Sequence, residues 1–290
     1  MTVGITGQVS ADAIRAQALA GLGRMPPFSP VLNRLLATMA SDDVSFAEAA
    51  ALIENDTVLA GTVLRLVNSP LYGFQGTVSS VRHGVAILGV EKLRNVALSL
   101  SISRMWAHSR MPAEWSAPKF NIHSLSAAVF SDLVAQRKKV PYPEGAFVAG
   151  LLHDIGKMLL AITCPEEYSA TRNLRSETGR SEIDCELELI GVTHAELSGM
   201  ALSRWNLPLP ITRAAAFHHA PEEADKGRLH LSYIVCAADQ LANEIGHSTS
   251  DHRDQPPQAG GALDTLHLGD CAPSIMDEFQ LEFEVMKAFF

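Results

Sequence analysis

The stretch AFVAGLLHDIGKMLLAI (residues 146–162) places His153 and Asp154 side by side inside an apolar run. Read as one helix over 144–162, it puts Phe147, Gly150, Leu151, Asp154 and Met158 on a single stripe. A carboxylate then lies on the face that packs inward. An unpaired buried charge is costly, so Asp154 requires a cation, a metal or a proton. His153 or His218 could supply that charge through a charge-assisted hydrogen bond, and Arg213 is a further candidate. The run carries His, Asp and Lys, which makes it a poor membrane span, so no membrane association is expected.

Outward from this run, the chain reads as helix after helix. Of its 290 residues 47% are hydrophobic but only 6% aromatic, so Ala and Leu fill the core, which favours packed helices. No strand-like alternation of useful length occurs, and the expected fold class is all-α, in two packed helical blocks. In the front block, Val31, Leu32, Leu35, Leu36 and Met39 mark one helix. Ser45 and Glu48 have capping-box spacing for a second, and Asp56 can cap a third. A fourth is expected from about Ser80 to Leu88, ended by Gly89. In the rear block helices are expected at 121–138, 144–162, 182–204, 210–219 and 228–246, with Pro210 in a first turn. The expected organisation is an extension at 1–19, the front block at 20–110, the rear block at 111–247, and a tail at 248–290. That tail is loop to residue 273, with one last helix over 274–289.

The net charge of −9 argues against nucleic-acid binding, which needs a basic surface. Cys164, Cys185, Cys236 and Cys271 are scattered without a CxxC pair, which fits free thiols in a reducing cytoplasm. The N-terminus MTVGITGQVSADAIR lacks a secretory pattern. Cytoplasmic localisation is the expectation.

In the rear block the order of polar residues is His123, His153-Asp154, His194, His218-His219, Asp239. Imidazole and carboxylate are ligands for divalent metals such as Fe, Mn, Ni or Zn. Adjacent His and Asp on a helix diverge by about 100°, so Asp154 can bridge two ions. Two metals about 4 Å apart activate a water and clamp a phosphate. The remaining histidines, His83, His108, His230, His247, His252 and His267, fall outside this pattern and read as surface or packing residues.

The series H…HD…H…HH…D resembles the HD superfamily of metal-dependent phosphohydrolases. The pieces that carry the resemblance are FNIHSLSAAVF (120–130), GLLHDIGK (150–157), THAELSGMALSRWNLP (193–208), FHHAPE (217–222) and AADQLA (237–242). It implies that His123, His153, Asp154 and Asp239 hold one metal, and that His194, His218 and His219 complete a second site. It also implies that Lys157 contacts phosphate and that Asp154 and Lys157 serve catalysis.

The front block narrows the family. MPPFSPVLNRLLATMASDDVSFAEAAALIENDTVLAGTVLRLVNSPLYG (25–73) and VSSVRHGVAILGVEKLRNVALSLS (78–101) resemble HDOD domains, all-helical modules of bacterial signalling proteins and response regulators. The resemblance spans about residues 20–245. It rests on the Pro-Pro entry, on Asn68, Ser69, Tyr72 and Gly73, and on the turn from Val85 to Gly89.

The chain also departs from these patterns. It has Asp56-Thr57 where the family has Asp-Pro, and HHAPEEADKG (218–227) where cyclic-dinucleotide phosphodiesterases carry HHExxDGxGYP. Lys119 stands where those enzymes place a Glu, which disfavours a third metal. The resemblance implies a regulatory protein with protein partners, the surface around Asn68–Gly73 being one docking candidate. The alternative is a metal-dependent phosphohydrolase acting on a nucleotide or cyclic dinucleotide.

Overall fold

The structure is a computed structural model that describes residues 11–27, 33, 34, 36, 46–68, 76–105, 109–225, 228–249 and 261–287. The described chain is helical throughout, with no strand among the described residues. Helix α1 (Ala11–Gly21) falls mostly in the N-terminal extension, and the front block comprises α2 (Phe46–Glu54), α3 (Thr57–Val67), α4 (Val81–Leu88) and α5 (Val90–Met105). The rear block begins with α6 (Ala117–Arg137), α7 (Ala146–Leu152) and α8 (Ile155–Thr163). It continues with α9 (Pro165–Thr178), α10 (Glu182–Leu189), α11 (His194–Arg204) and α12 (Leu209–Ala216), and then α13 (Pro221–Ala224) and α14 (Leu231–Glu244). The short α15 (Gly261–Asp264) and the terminal α16 (Ala272–Lys287) complete the order.

Local signals fix several ends. Asp56 accepts from the Leu59 amide at 3.0 Å and so caps α3. Ser80 caps α4, accepting from the His83 amide at 3.4 Å. Pro210 lies in the first turn of α12 as expected. Ser116 caps α6, which starts four residues before the expected 121. The expected stripe at Val31, Leu32, Leu35 and Met39 and the cap at Ser45 lie outside the described residues, as do Ser69, Tyr72 and Gly73.

Three expectations need correction. The run at 144–162 is not one helix: α7 stops at Leu152, His153 and Asp154 form a turn, and α8 starts at Ile155. The helix expected over 182–204 is two, divided at Gly191, whose φ of 76° is left-handed backbone that favours glycine. The helix expected over 210–219 ends at Ala216, which leaves His218 and His219 in the turn beyond it. In addition, α9 has no counterpart among the expected helices. It is a polar helix with only Tyr168 and Thr171 buried, so its apolar stripe is too thin to read. Within 248–273, residues 250–260 lie outside the description, and α15 interrupts the rest.

The packing centres on α6, which is flanked by α7, α14 and α16. Among the described residues Ser124–Ala135 of α6 is buried except Asp132, so the helix is apolar almost all round, as a central helix must be. One continuous core joins the blocks, running from Leu93 and Val96 of α5 through Phe130 and Phe147 to Phe279 and Phe283 of α16. Phe130 stacks on Phe279 with ring centroids 3.9 Å apart. Helix α1 packs on α8, where Ala18 joins Leu160, Cys164 and Tyr168 in a second, smaller cluster. The stretch Pro143–Thr163 is long and apolar enough to cross a membrane, but 94% of its most apolar window is buried inside the fold.

Asn68, part of the family-like loop, has a structural task. Its amide Nδ2 donates to the carbonyls of Leu64 (2.7 Å) and Val78 (2.8 Å), and its Oδ1 accepts from the Val78 amide (2.8 Å). These bonds tie the end of α3 to the approach of α4. Asn68→Ala is expected to cost about 1–2 kcal/mol, seen as a lower urea midpoint. An unchanged midpoint would show that the loop holds itself.

Candidate metal centre

The turn between α7 and α8 is the floor of the site. Asp154 adopts φ −99°, ψ 10°, which leaves the helical region and turns α8 away from α7. The first amides of α8 lack intrahelical partners, and the Gly156 amide finds one across the fold, donating to Ser198 Oγ of α11 at 2.9 Å. Gly156 also permits the contact itself. A Cβ there would lie 1.9 Å from the backbone oxygen of His194. The closeness of α8 and α11 thus sets the separation of Asp154 from His194.

Every ligand candidate converges. Asp154 Oδ1 lies 3.3 Å from His194 Nε2 and 3.5 Å from His218 Nε2. Its Oδ2 lies 3.3 Å from His123 Nε2 and 3.5 Å from His153 Nε2. Asp239 Oδ1 is 3.2 Å from His123 Nε2 and 3.7 Å from His153 Nε2. His194 Nε2 and His219 Nε2 face each other at 2.9 Å. The donor atoms therefore fall into two groups that meet at Asp154. Asp154, His194, His218 and His219 form one; His123, His153 and Asp239 form the other. Of the seven residues only His219 is exposed, so the centre opens on that side. Arg213, a cation considered for Asp154, lies on the surface of α12, and Asp154 is surrounded by histidines and Lys157 instead.

The far side of each buried ring explains its orientation. His123 Nδ1 donates to the carbonyl of His247 (2.8 Å), His153 Nδ1 to Gly150 (2.7 Å) and His218 Nδ1 to Ala215 (2.8 Å). His194 Nδ1 donates to the Glu186 carboxylate at 2.9 Å. Carbonyl and carboxylate oxygens only accept, so each Nδ1 must carry hydrogen. A neutral ring then presents a bare Nε2 lone pair, and all four aim at carboxylate oxygens or at one another. Both oxygens of Asp154 and Nε2 of His218 are buried without a well-directed hydrogen bond. Converging lone pairs with nothing between them repel, so the residues present fit cations held among them.

Charge obeys the same geometry. Burial alone would raise the Asp154 carboxyl, but His153 and Lys157, with contacts from His123 and His194, hold it well below the usual carboxylate range. Asp239 is likewise held low against burial by His123 and His153. Burial works against charge on His123 too, yet Asp154 and Asp239 push it up to about 9. Against the same burial, Glu186 and Asp154 push His194 up to about 10. Burial lowers His218 despite Asp154.

Lys157 Nζ sits 2.8 Å from Asp154 Oδ2 and 3.1 Å from Glu182 Oε2, and Arg175 reaches Glu182 at 3.6 Å. Sequence reasoning misses Glu182, Glu186, Ser198 and Asn243, whose Nδ2 donates to Asp239 Oδ1 at 3.0 Å. The pair Glu182 and Glu186, four apart on one helix face, is the one signal that could have found them. His247 does pack, its ring 4.8 Å from that of Phe283, but its carbonyl also orients His123.

These features define a class: an all-helical protein with a buried histidine and aspartate centre. The HDOD domain pattern matches residues 25–221, and the chain belongs to the HDOD family. Three solved structures share its fold. An HDOD domain protein of unknown function from Geobacter sulfurreducens aligns with TM-score 0.77 and 23% identity over 95% of this chain and 99% of its own. A candidate phosphohydrolase from Shewanella amazonensis SB2B gives 0.74 and 20% over 95% and 98%. A candidate signal transduction protein from Marinobacter aquaeolei VT8 gives 0.72 and 21% over 99% and 68%. A curated relative, an uncharacterized protein of Treponema pallidum, is 24% identical over 209 residues. That alignment takes in 69% of this chain but 39% of the relative's length.

Proposed function

We propose that this protein is a bacterial signalling module of HDOD type whose rear block holds two divalent ions and, on them, a nucleotide or cyclic dinucleotide. The observation that carries the reading is the set of four Nε2 atoms and two carboxylates aimed into one buried space. Asp154 would hold both ions, one through each oxygen. His194, His218 and His219 would complete one position, and His123, His153 and Asp239 the other. The donor set, imidazole nitrogen and carboxylate oxygen without thiolate, suits Fe, Mn, Ni or Zn. Two ions held by these residues would supply charge neutralisation for a phosphate and activation of a water.

The signalling role draws on family membership and on packing. Helices α5 and α7 touch, and a single core continues from one block to the other. A ligand that shifts the His153-Asp154 turn therefore pushes on the front block, where a protein partner would read the change. The four free thiols suit a reducing cytoplasm.

A second reading, phosphohydrolysis, is favoured by Lys157. Its ammonium has three donors, and two face Asp154 and Glu182, which leaves one for a phosphate oxygen. Purified protein is expected to carry close to two metal ions per chain by elemental analysis. Incubation with manganese, iron or nickel and a panel of nucleotides and cyclic dinucleotides then separates the readings. Binding without turnover supports the signalling module, and hydrolysis supports the enzyme. A well-folded chain that takes up no metal refutes both.

A further inference from the structure

Three of the four buried imidazoles are braced by neutral carbonyls, and one is braced by a charge. Glu186 is 2% exposed, and both its oxygens lie 2.9 Å from His194 Nδ1. Its Oε2 also accepts from the His194 backbone amide at 2.8 Å. Thr193 caps α11 with a full capping box, so the His194 backbone is fixed from two sides.

The location of Glu186 is unfavourable in itself. It lies in the last half of α10, where the helix dipole disfavours an anion, and away from water. Local structure gives no reason for a carboxylate there. Its contacts with His194 give one. A carboxylate behind a ligating imidazole fixes the ring and raises the donor strength of the opposite nitrogen.

The asymmetry runs through the whole centre. On the other side, Asp154 Oδ2 is shared with the Lys157 ammonium, and His123 and His153 lean on carbonyls. Each Asp154 oxygen faces two imidazoles, but Oδ1, which faces His194 and His218, has no ammonium beside it. Helix α10 places two of its four carboxylates on the two opposite partners of Asp154, Glu182 on Lys157 and Glu186 on His194.

We infer that Glu186 is a positioning residue that strengthens one ion position selectively, the one built from Asp154, His194, His218 and His219. The inference rests on the two-ion reading above. It makes the two positions chemically unequal, with one tuned by an outer carboxylate and the other not.

Glu186→Gln is the test, because Gln keeps the shape and an acceptor oxygen but removes the charge. Manganese titrations followed by electron paramagnetic resonance count the ions and their affinities. Glu186→Gln is expected to bind one ion as the parent protein does and the other about 10–100-fold more weakly. Reference variants assign the affected position. In a His123→Asn background the weakening should persist on the remaining ion. In a His218→Asn background Glu186→Gln should change nothing further.

Circular dichroism and thermal midpoints verify folding. If Glu186→Gln unfolds, Glu186→Asp, which keeps the charge on a shorter arm, should fold and weaken the same single ion. Equal weakening of both ions, or none, overturns the inference while leaving the two-ion centre intact. Failure of the parent protein to bind manganese, iron, nickel or zinc instead overturns the centre and the inference together.

Discussion

Asp154→Ala is expected to empty both ion positions at once and to destabilise the fold by about 3 kcal/mol. Each oxygen of this carboxylate faces one half of the ligand set, so no other single substitution removes a donor from both. The loss in stability has a separate cause. Lys157 is 7% exposed and loses its closest anion, and His123, 1% exposed, loses one of its two. Removing one partner of a buried pair leaves the other uncompensated. Glu182 still contacts Lys157 at 3.1 Å and Asp239 still contacts His123 at 3.2 Å, which keeps the cost near the lower end for such pairs. Elemental analysis and urea unfolding of the variant measure the two effects independently. Retention of both ions would refute the bridging role, and an unchanged urea midpoint would refute the charge argument.

Gly156→Ala should damage the molecule as much, although a single methyl is added. The new Cβ would meet the His194 carbonyl oxygen at 1.9 Å, and the obstacle is backbone rather than a side chain that can swing aside. Helix α11 cannot retreat cheaply, because Ser198 holds the Gly156 amide and Glu186 holds the His194 amide. A cost of about 3 kcal/mol or more is expected, with weaker metal binding where His194 takes part. Gly61 of α3 provides the control. A Cβ there meets nothing within 4 Å, so Gly61→Ala should stabilise the protein by about 0.5–1 kcal/mol. Calorimetry on the two variants separates close approach from helix propensity. Similar stability in both would mean that α8 and α11 are not in fixed contact.

The signalling and enzymatic readings share one chemical basis and part only after a ligand has bound. The Lys157 contacts bear on the difference. An ammonium tied to Asp154 and Glu182 is positioned for a phosphate, but each contact also holds it in place. A nucleotide panel with metal-loaded protein decides how far that restraint extends.

By itself the sequence determined the helical class, the family and which histidines and aspartates to consider as candidate ligands. Those properties are written in local patterns: apolar spacing at helical period, Pro and Gly at helix ends, and imidazoles at fixed places along the chain. Asp56, Ser80 and Pro210 were legible for the same reason, since a cap acts on amides two or three residues away. Tertiary structure alone decided the rest. The break at His153-Asp154 was hidden because an all-apolar flank has no period to interrupt, and the turn is stabilised by α11, some forty residues later. The bracing of the imidazoles was hidden too, because three of the acceptors are backbone carbonyls that every sequence possesses. Glu186 was in view, but a carboxylate on a short polar helix looks solvated until packing buries it against His194. Local chemistry selects which groups are present. Only long-range packing decides which lone pairs face each other, because that depends on the angle and distance between helices rather than on any residue's own preference.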